Sequence, residues 1–181
     1  MDNHSFTIPS LVNSQAKNFG EKLALVSNQN FFSYSQIDEL STIIASNLVS
    51  LGLTKGDRVA IWAPNMNEWV LAAIGIHKAA GVLVPINTRM KGKEAAYILN
   101  NSKAKIIFSV KEFLDIDYFS LIKGEDLPYL KTKIVLDDAL AQEDQILFNS
   151  LLQKNNHTLP TIGPSDLADI IFTSGTTGKP K

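Results

Sequence analysis

Arg58-Val-Ala-Ile-Trp62, Asn67-Glu-Trp-Val-Leu-Ala-Ala-Ile-Gly-Ile-His-Lys-Ala-Ala80 and Val82-Leu-Val84 follow one another with only short breaks between them. The first and third are brief apolar runs bordered by turn formers. Lys55-Gly-Asp57 precedes the first and Ala63-Pro-Asn65 ends it, while Pro85-Ile-Asn-Thr88 leads out of the third. Runs of this length and border read as strands with both faces covered. The stretch between them has the length and apolar content of a buried helix, with Gly81 closing it. Strands alternating with helices, several of them apolar throughout, indicate a sheet covered on both faces. The expected fold class is therefore α/β, a layered sheet with helices on both faces.

Reading outward supports that class. Upstream, Leu11, Val12, Ala16 and Phe19 recur at helical spacing. Leu23-Ala-Leu-Val26 and Phe31-Phe-Ser-Tyr34 then read as a hairpin with Ser27-Asn-Gln-Asn30 as its turn. Ser35 is the expected cap of the next helix, with Asp38 near its positive end. Ile37, Leu40, Ile43, Ile44, Leu48 and Leu51 form its apolar stripe, and Gly52 is placed to end it in a left-handed conformation. Downstream, a helix is expected over Lys91–Asn100 and strands over Lys105–Phe108 and Lys133–Leu136. Glu112–Ile122 and Glu143–Gln153 read as helical, Asn155–Pro164 as a loop, and Ala168–Phe172 as a last strand.

Composition narrows the function. Across 181 residues the chain is 45% hydrophobic and 19% charged, with a formal net charge of −1. It can bury a core, and it offers no electrostatic case for nucleic acid. It has no cysteine, which removes disulfides, cysteine-bound zinc and a thiol nucleophile from these residues. The longest apolar stretch, Trp69 to Ile86, is interrupted by His77 and Lys78, so no integral membrane segment is read. The start of the chain lacks the pattern of a signal peptide, and a cytoplasmic location is expected.

The chemistry is concentrated in Thr173-Ser-Gly-Thr-Thr-Gly-Lys-Pro-Lys181. Gly175 and Gly178 let the backbone approach a ligand closely. Thr173, Ser174, Thr176 and Thr177 supply hydroxyls, and Lys179 supplies a cation. Clustered amides, hydroxyls and one ammonium suit phosphate oxygens, and a strand before the loop would hold it at a sheet end. The blander reading is an ordinary Gly/Ser/Thr turn. A Walker A loop does not fit: only two residues separate Gly175 from Gly178, and Pro180 follows Lys179.

This stretch resembles the signature loop of the adenylate-forming superfamily, which includes acyl-CoA synthetases, luciferases and peptide-synthetase adenylation domains. Phe32–Leu40, Gly52, Lys55–Val59 and His77–Arg89 are similar to its earlier core segments. Asn87 fits the acyl-CoA synthetase branch, where adenylation domains more often carry Asp. The resemblance implies that residues 1–181 are the N-terminal portion of the large AMP-binding domain, ending in the phosphate-binding loop. The rest of that domain and the C-terminal domain would lie outside it, and such a portion is expected to be inactive alone. It further implies a ligase that joins a small-molecule carboxylic acid to AMP using ATP and Mg²⁺, then transfers the acyl group to coenzyme A. Thr173, Ser174, Gly175, Thr176, Thr177, Gly178 and Lys179 would handle phosphate. No catalytic residue and no metal ligand are assigned within the chain. The alternatives are an adenylation domain that loads a carrier protein, and a non-catalytic scaffold.

The other notable residues take plainer roles. His4, His77 and His157 lack ligand spacing, and His77 reads as a helix-surface or packing residue. Trp62 and Trp69 are expected to pack. Asn87 and Arg89 are read chiefly as turn chemistry, and Asp57 with Arg58 as a turn with a surface pairing.

Overall fold

The computed structural model describes residues 6–27, 30–137 and 142–173. Helix α1 (Ile8–Phe19) is followed by strands β1 (Leu23–Ser27) and β2 (Asn30–Ser33), paired antiparallel, and by helix α2 (Tyr34–Ser50). The βαβ unit comes next, as β3 (Arg58–Trp62), α3 (Asn67–Lys78) and β4 (Val82–Pro85). Helix α4 (Gly92–Ser102) leads to β5 (Ile106–Ser109). A small hairpin of β6 (Glu112–Phe113) and β7 (Ile116–Asp117) and the one-turn helix α5 (Tyr118–Leu121) precede β8 (Thr132–Val135). Strand β9 (Gln145–Leu147) and a 3-10 helix (Phe148–Leu152) follow.

The main sheet has five strands in the order β4-β3-β5-β8-β9, all parallel. From β3 the chain steps outward to β4, then returns across β3 to β5. Right-handed crossovers in opposite directions place α3 and α4 on opposite faces. Helices α1, α2 and α3 pack on one another, and α4 packs against α5. Between these layers β3, β4 and β5 are buried almost throughout, so apart from Arg58 and Ser109 at their ends their sequences are apolar. Ile44, Leu48, Ile61, Ile76, Ile98, Phe108 and Ile134 form the centre of the core.

Several elements differ in detail from the sequence expectation. The cap of α2 is Ser33, not Ser35: Ser33 Oγ accepts from Gln36 N at 3.2 Å, and Gln36 Oε1 accepts from Ser33 N at 2.8 Å. Ser35 lies in the first turn, its amide bonded to Gly20 O at 3.0 Å. Gly52 ends the helix as expected, with φ of 88° and a Leu53 N to Leu48 O bond of 3.1 Å. After α3 the left-handed residue is Ala80, φ 55°, while Gly81 is needed for space. A Cβ there would meet Ile76 Cγ2 at 3.0 Å.

Glu112–Ile122 is the β6–β7 hairpin plus α5 rather than one helix. Glu143–Gln153 is not a helix either. Ile146 pairs with Ile134 in the sheet, and only the 3-10 turn buries Phe148 and Leu151. Sheet pairing overrides a helical spacing that the sequence does carry. The expected strand Ala168–Phe172 makes a single parallel bridge, Asp169 to Leu83, at the outer side of β4. Among the described residues no helix is long and apolar enough to cross a membrane.

Candidate phosphate-loop site

Strand β9 lies at one edge of the sheet and the loop-bearing segment at the other, so residues 153–167 must cross the molecule. They do so along α2. Asn47 Nδ2 donates to Leu151 O at 2.9 Å and Gln153 O at 2.8 Å, and Asn155 Nδ2 donates to Asn47 Oδ1 at 3.1 Å. Ser46 Oγ donates to Asn155 O and accepts from His157 N, both at 2.9 Å. Two polar residues of α2 thus satisfy backbone groups of a stretch that has no ladder of its own. Farther on, Lys55 Nζ reaches Thr161 O at 3.1 Å and the Asp166 carboxylate at 2.7 Å. That ammonium, with the Gly163 amide donating to Asp166, holds the Asp166 carboxyl below its ordinary range.

The segment then joins the sheet. Leu83 N donates to Ala168 O at 2.8 Å, and Ile170 N donates to Leu83 O at 2.9 Å. Its parallel sense sends the following residues toward the C-terminal edge of the sheet, where β4 releases Ile86, Asn87 and Thr88. The Asp169 side chain turns to the α3 layer and meets His77 Nε2 at 3.1 Å. Thr173, the first residue of the glycine-rich stretch, is exposed. Ser174, Gly175, Thr176, Thr177, Gly178 and Lys179 lie outside the described residues.

The order of the sheet would ordinarily put a ligand in the crevice where neighbouring crossovers diverge, beyond the ends of β3 and β5. That crevice is filled. The Trp62 ring is fully buried and packs edge-on against Tyr118, with centroids 4.6 Å apart. Trp62 Nε1 donates to Asn87 O at 3.1 Å, Tyr118 Oη to Thr88 O at 2.9 Å, and Ser109 Oγ to Trp62 O at 2.6 Å. The two aromatic donors fix the exit of β4. Asn87 Oδ1 closes a turn by accepting from Arg89 N at 2.9 Å, leaving both side chains exposed on this edge. Open surface at the C-terminal edge is therefore found beyond β4, beside Thr173.

Other side chains fall into place around this frame. Trp62 packs as expected, and Trp69 is partly buried against the core. His4 is outside the described residues, and His157 is exposed on the crossing segment. Asp57 does not pair with Arg58. Its carboxylate is buried and bonded to Lys105 at 2.7 Å and to Thr54 N and Oγ1 at 2.9 and 2.8 Å. Burial pushes this carboxyl up, but Lys105 and Thr54 outweigh it and hold it below the usual range. Arg58 instead caps α4, with Nε donating to Ser102 O at 2.5 Å. His77 is 8% exposed, a buried partner of Asp169 and not a surface residue. Lys78 is buried too, its ammonium satisfied by Asp38 O, Asp38 Oδ1 and Thr42 Oγ1 at 2.7, 2.7 and 2.8 Å. Burial draws its pKa down against the opposing pull of Asp38. The only sequence sign of these pairs was an interruption of an apolar run by His77 and Lys78.

The comparisons with known proteins agree with this architecture. A methyl-dioxo-octahydro-indenyl-propanoyl:CoA ligase of Rhodococcus jostii (strain RHA1) is 32% identical over 97% of this chain and 36% of its own length. A crotonobetaine/carnitine–CoA ligase of Salmonella paratyphi A is 33% identical over 92% of the chain and 34% of its own length. The chain thus spans about a third of the curated relatives it matches. Among solved structures, the anthranilate CoA ligase AuaEII in complex with anthranoyl-AMP superposes with a TM-score of 0.87 at 26% identity, covering 98% of this chain and 34% of that one. A parallel sheet flanked by helices, relatives that are CoA ligases, and a match to the AMP-binding enzyme model over residues 12–181 lead to one conclusion: this chain belongs to the AMP-binding enzyme family.

Proposed function

We propose that this chain is the opening portion of the large domain of an AMP-forming acid–thiol ligase, and that Thr173 to Lys179 handle the phosphates of ATP. In the first step a carboxylate oxygen attacks the α-phosphorus, the bond to the bridging oxygen breaks, and pyrophosphate leaves with that electron pair. In the second the sulfur of coenzyme A attacks the acyl carbon and AMP departs with its phosphate oxygen. Both the nucleophile and the triphosphate are anions, so the first step needs donors placed where charge collects on the leaving group.

The supporting observation is that the segment leading into the glycine-rich stretch pairs parallel at the outer side of β4, beside an edge whose inner crevice is already filled. The donor set fits a polyphosphate: hydroxyls on Thr173, Ser174, Thr176 and Thr177, backbone amides freed by Gly175 and Gly178, and the Lys179 ammonium. Thr173, where this run begins, is exposed and not packed away. Magnesium carried on the phosphates would neutralise further charge. Among the described residues no three acidic or imidazole side chains gather to hold a metal, and no ligand to it is assigned here.

The test is ATP–pyrophosphate exchange by the protein translated from the complete reading frame, against short, medium and long fatty acids, aryl acids and amino acids. Exchange that depends on one acid is expected, falling roughly 10²–10³-fold in Ser174→Ala, Thr176→Ala or Lys179→Ala if each supplies a charge-stabilising donor. Folded protein giving no exchange with any acid would overturn the proposal. Acid-dependent exchange followed by acyl transfer to a carrier protein, and not to coenzyme A, would reassign the acceptor.

A further inference from the structure

The loop-bearing segment is held to the sheet by little backbone. One bridge with two hydrogen bonds joins it to β4, and Leu167 and Ile171 on either side are 61% and 68% exposed. A register set by so short a pairing is easily slipped, because Ala168, Ile170 and Ile171 offer interchangeable apolar side chains. A slip of one residue would invert every side chain and move the loop by about 3.3 Å along the edge.

Asp169 is the sole polar residue between Leu167 and Phe172, and its carboxylate is bonded to a buried imidazole on α3. His77 is 8% exposed, and its Nδ1 meets no partner among the described residues. The ring therefore spends its one observed polar contact on Asp169, with Nε2–H donating to the carboxylate. In either slipped register an aliphatic side chain would face Nε2 and Asp169 would turn to the opposite face, where Ile170 now packs on the core.

We infer that His77 and Asp169 form a register pin: a positioning pair that selects the one alignment in which the loop beginning at Thr173 leaves the sheet correctly placed for ATP. The inference rests on the proposed ligase reading for its kinetic consequence, but not for its structural one. The pin lies four residues ahead of Thr173 and touches no substrate. It acts through the segment between, in which Ile171 is 68% exposed.

The experiment uses the protein from the complete reading frame, with Asp169→Leu to remove the acceptor and Asp169→Asn to retain an oxygen that still accepts from Nε2–H. Asp169 is part-exposed, so neither change empties the core. In Asp169→Leu, hydrogen exchange at the Ile170 and Leu83 amides is expected to quicken at least tenfold. The Val82 and Ile86 amides, bonded to Asp57 O and Ile61 O on the other side of β4, keep their protection. The KM for ATP rises roughly tenfold or more, as expected for a misplaced binding group, while the KM for the acid changes less than about twofold. Asp169→Asn stays close to wild type in both readouts. Unchanged exchange at Ile170 and unchanged KM for ATP in Asp169→Leu would overturn the pin. So would a uniform loss of protection with both KM values rising together, which marks a general stability role. A wild-type protein without acid-dependent pyrophosphate exchange would remove the ligase reading, and the amide exchange alone would then decide the pin.

Discussion

Gly92 opens α4 where that helix meets the end of α5, and replacing it with alanine should be far more damaging than its position in a helix suggests. A Cβ on Gly92 would stand 1.9 Å from Leu121 O, 2.8 Å from its carbonyl carbon and 3.2 Å from its Cβ. Ordinary contact needs about 3.5 Å, so α4 would have to withdraw by more than about 1 Å. Four of its neighbours in that helix, Ala95, Ala96, Ile98 and Leu99, are fully packed and would be pulled with it. Overpacking of this kind costs about 1–3 kcal/mol, and a backbone obstacle belongs at the upper end. The gain in helix propensity from Gly to Ala is about 1 kcal/mol at most, and less in the first turn. A net loss of about 2 kcal/mol follows, or roughly 4–8 °C in midpoint for a domain of this size.

Thermal and urea unfolding followed by circular dichroism would measure it, with Gly124→Ala as the comparison. Gly124 has a φ of 91° and open space around it, so alanine there meets only backbone strain of about 1 kcal/mol. Repeating Gly92→Ala in a Leu121→Ala background should leave the penalty intact, since the obstacle is a carbonyl and not a side chain. A Gly92→Ala protein within about 0.5 kcal/mol of wild type, a spread usual for harmless surface changes, would refute the reasoning. Rescue by Leu121→Ala would refute it equally.

Two further outcomes concern buried charge. Asp57 has its carboxyl pKa lowered on folding, so its contribution to stability is complete above the unfolded value of 3.8 and is lost as pH falls from there through the lower folded value. Urea midpoints measured from pH 7 down to pH 2 should show a shallower acid limb in Asp57→Asn than in wild type, and identical limbs would contradict the assignment. The Lys78–Asp38 pair should behave as a unit. Asp38→Ala leaves the buried Lys78 ammonium with only the neutral acceptors Asp38 O and Thr42 Oγ1 and is expected to cost about 3 kcal/mol, whereas Asp38→Ala with Lys78→Met should recover most of that loss. Additive single effects in the double-mutant cycle would show that the pair is not coupled.

The parts of this molecule that were legible in sequence are those decided locally. Val82-Leu-Val84 declares a buried strand because both faces of β4 are covered, and the α2 stripe follows from a single helical period. Gly52 sits where the chain needs a positive φ. Of the glycine-rich stretch only Thr173 is described, and it is exposed. What escaped is non-local. The Ser33/Ser35 ambiguity is settled by Gln36 completing a reciprocal cap and by the amide of Ser35 being taken up by Gly20 O. Residues 145–152 have helical spacing, yet an edge position beside β8 was available and won. His77 and Asp169 are 92 residues apart, Lys78 and Asp38 are 40 apart, and nothing in either neighbourhood names the partner. The seam of Asn47 and Ser46 on the crossing segment is equally silent, since each reads as an ordinary polar residue of an amphipathic helix.

The crossing of residues 153–167 also has a consequence in time. As the chain is synthesised, β3, β4 and β5 can assemble once β5 has followed α4, but the outer side of β4 is not closed until Ala168–Ile170 arrives. Roughly 85 residues separate the two, which at about 5–20 residues per second leaves that border bare for roughly 4–17 s. During this interval a run of Val82-Leu-Val84 stands ready to pair with any other nascent strand, guarded on its own length only by Pro85, whose missing N–H interrupts a ladder. The order of the strands in the chain thus makes the border beside Val82–Val84 the last part of this sheet to be covered.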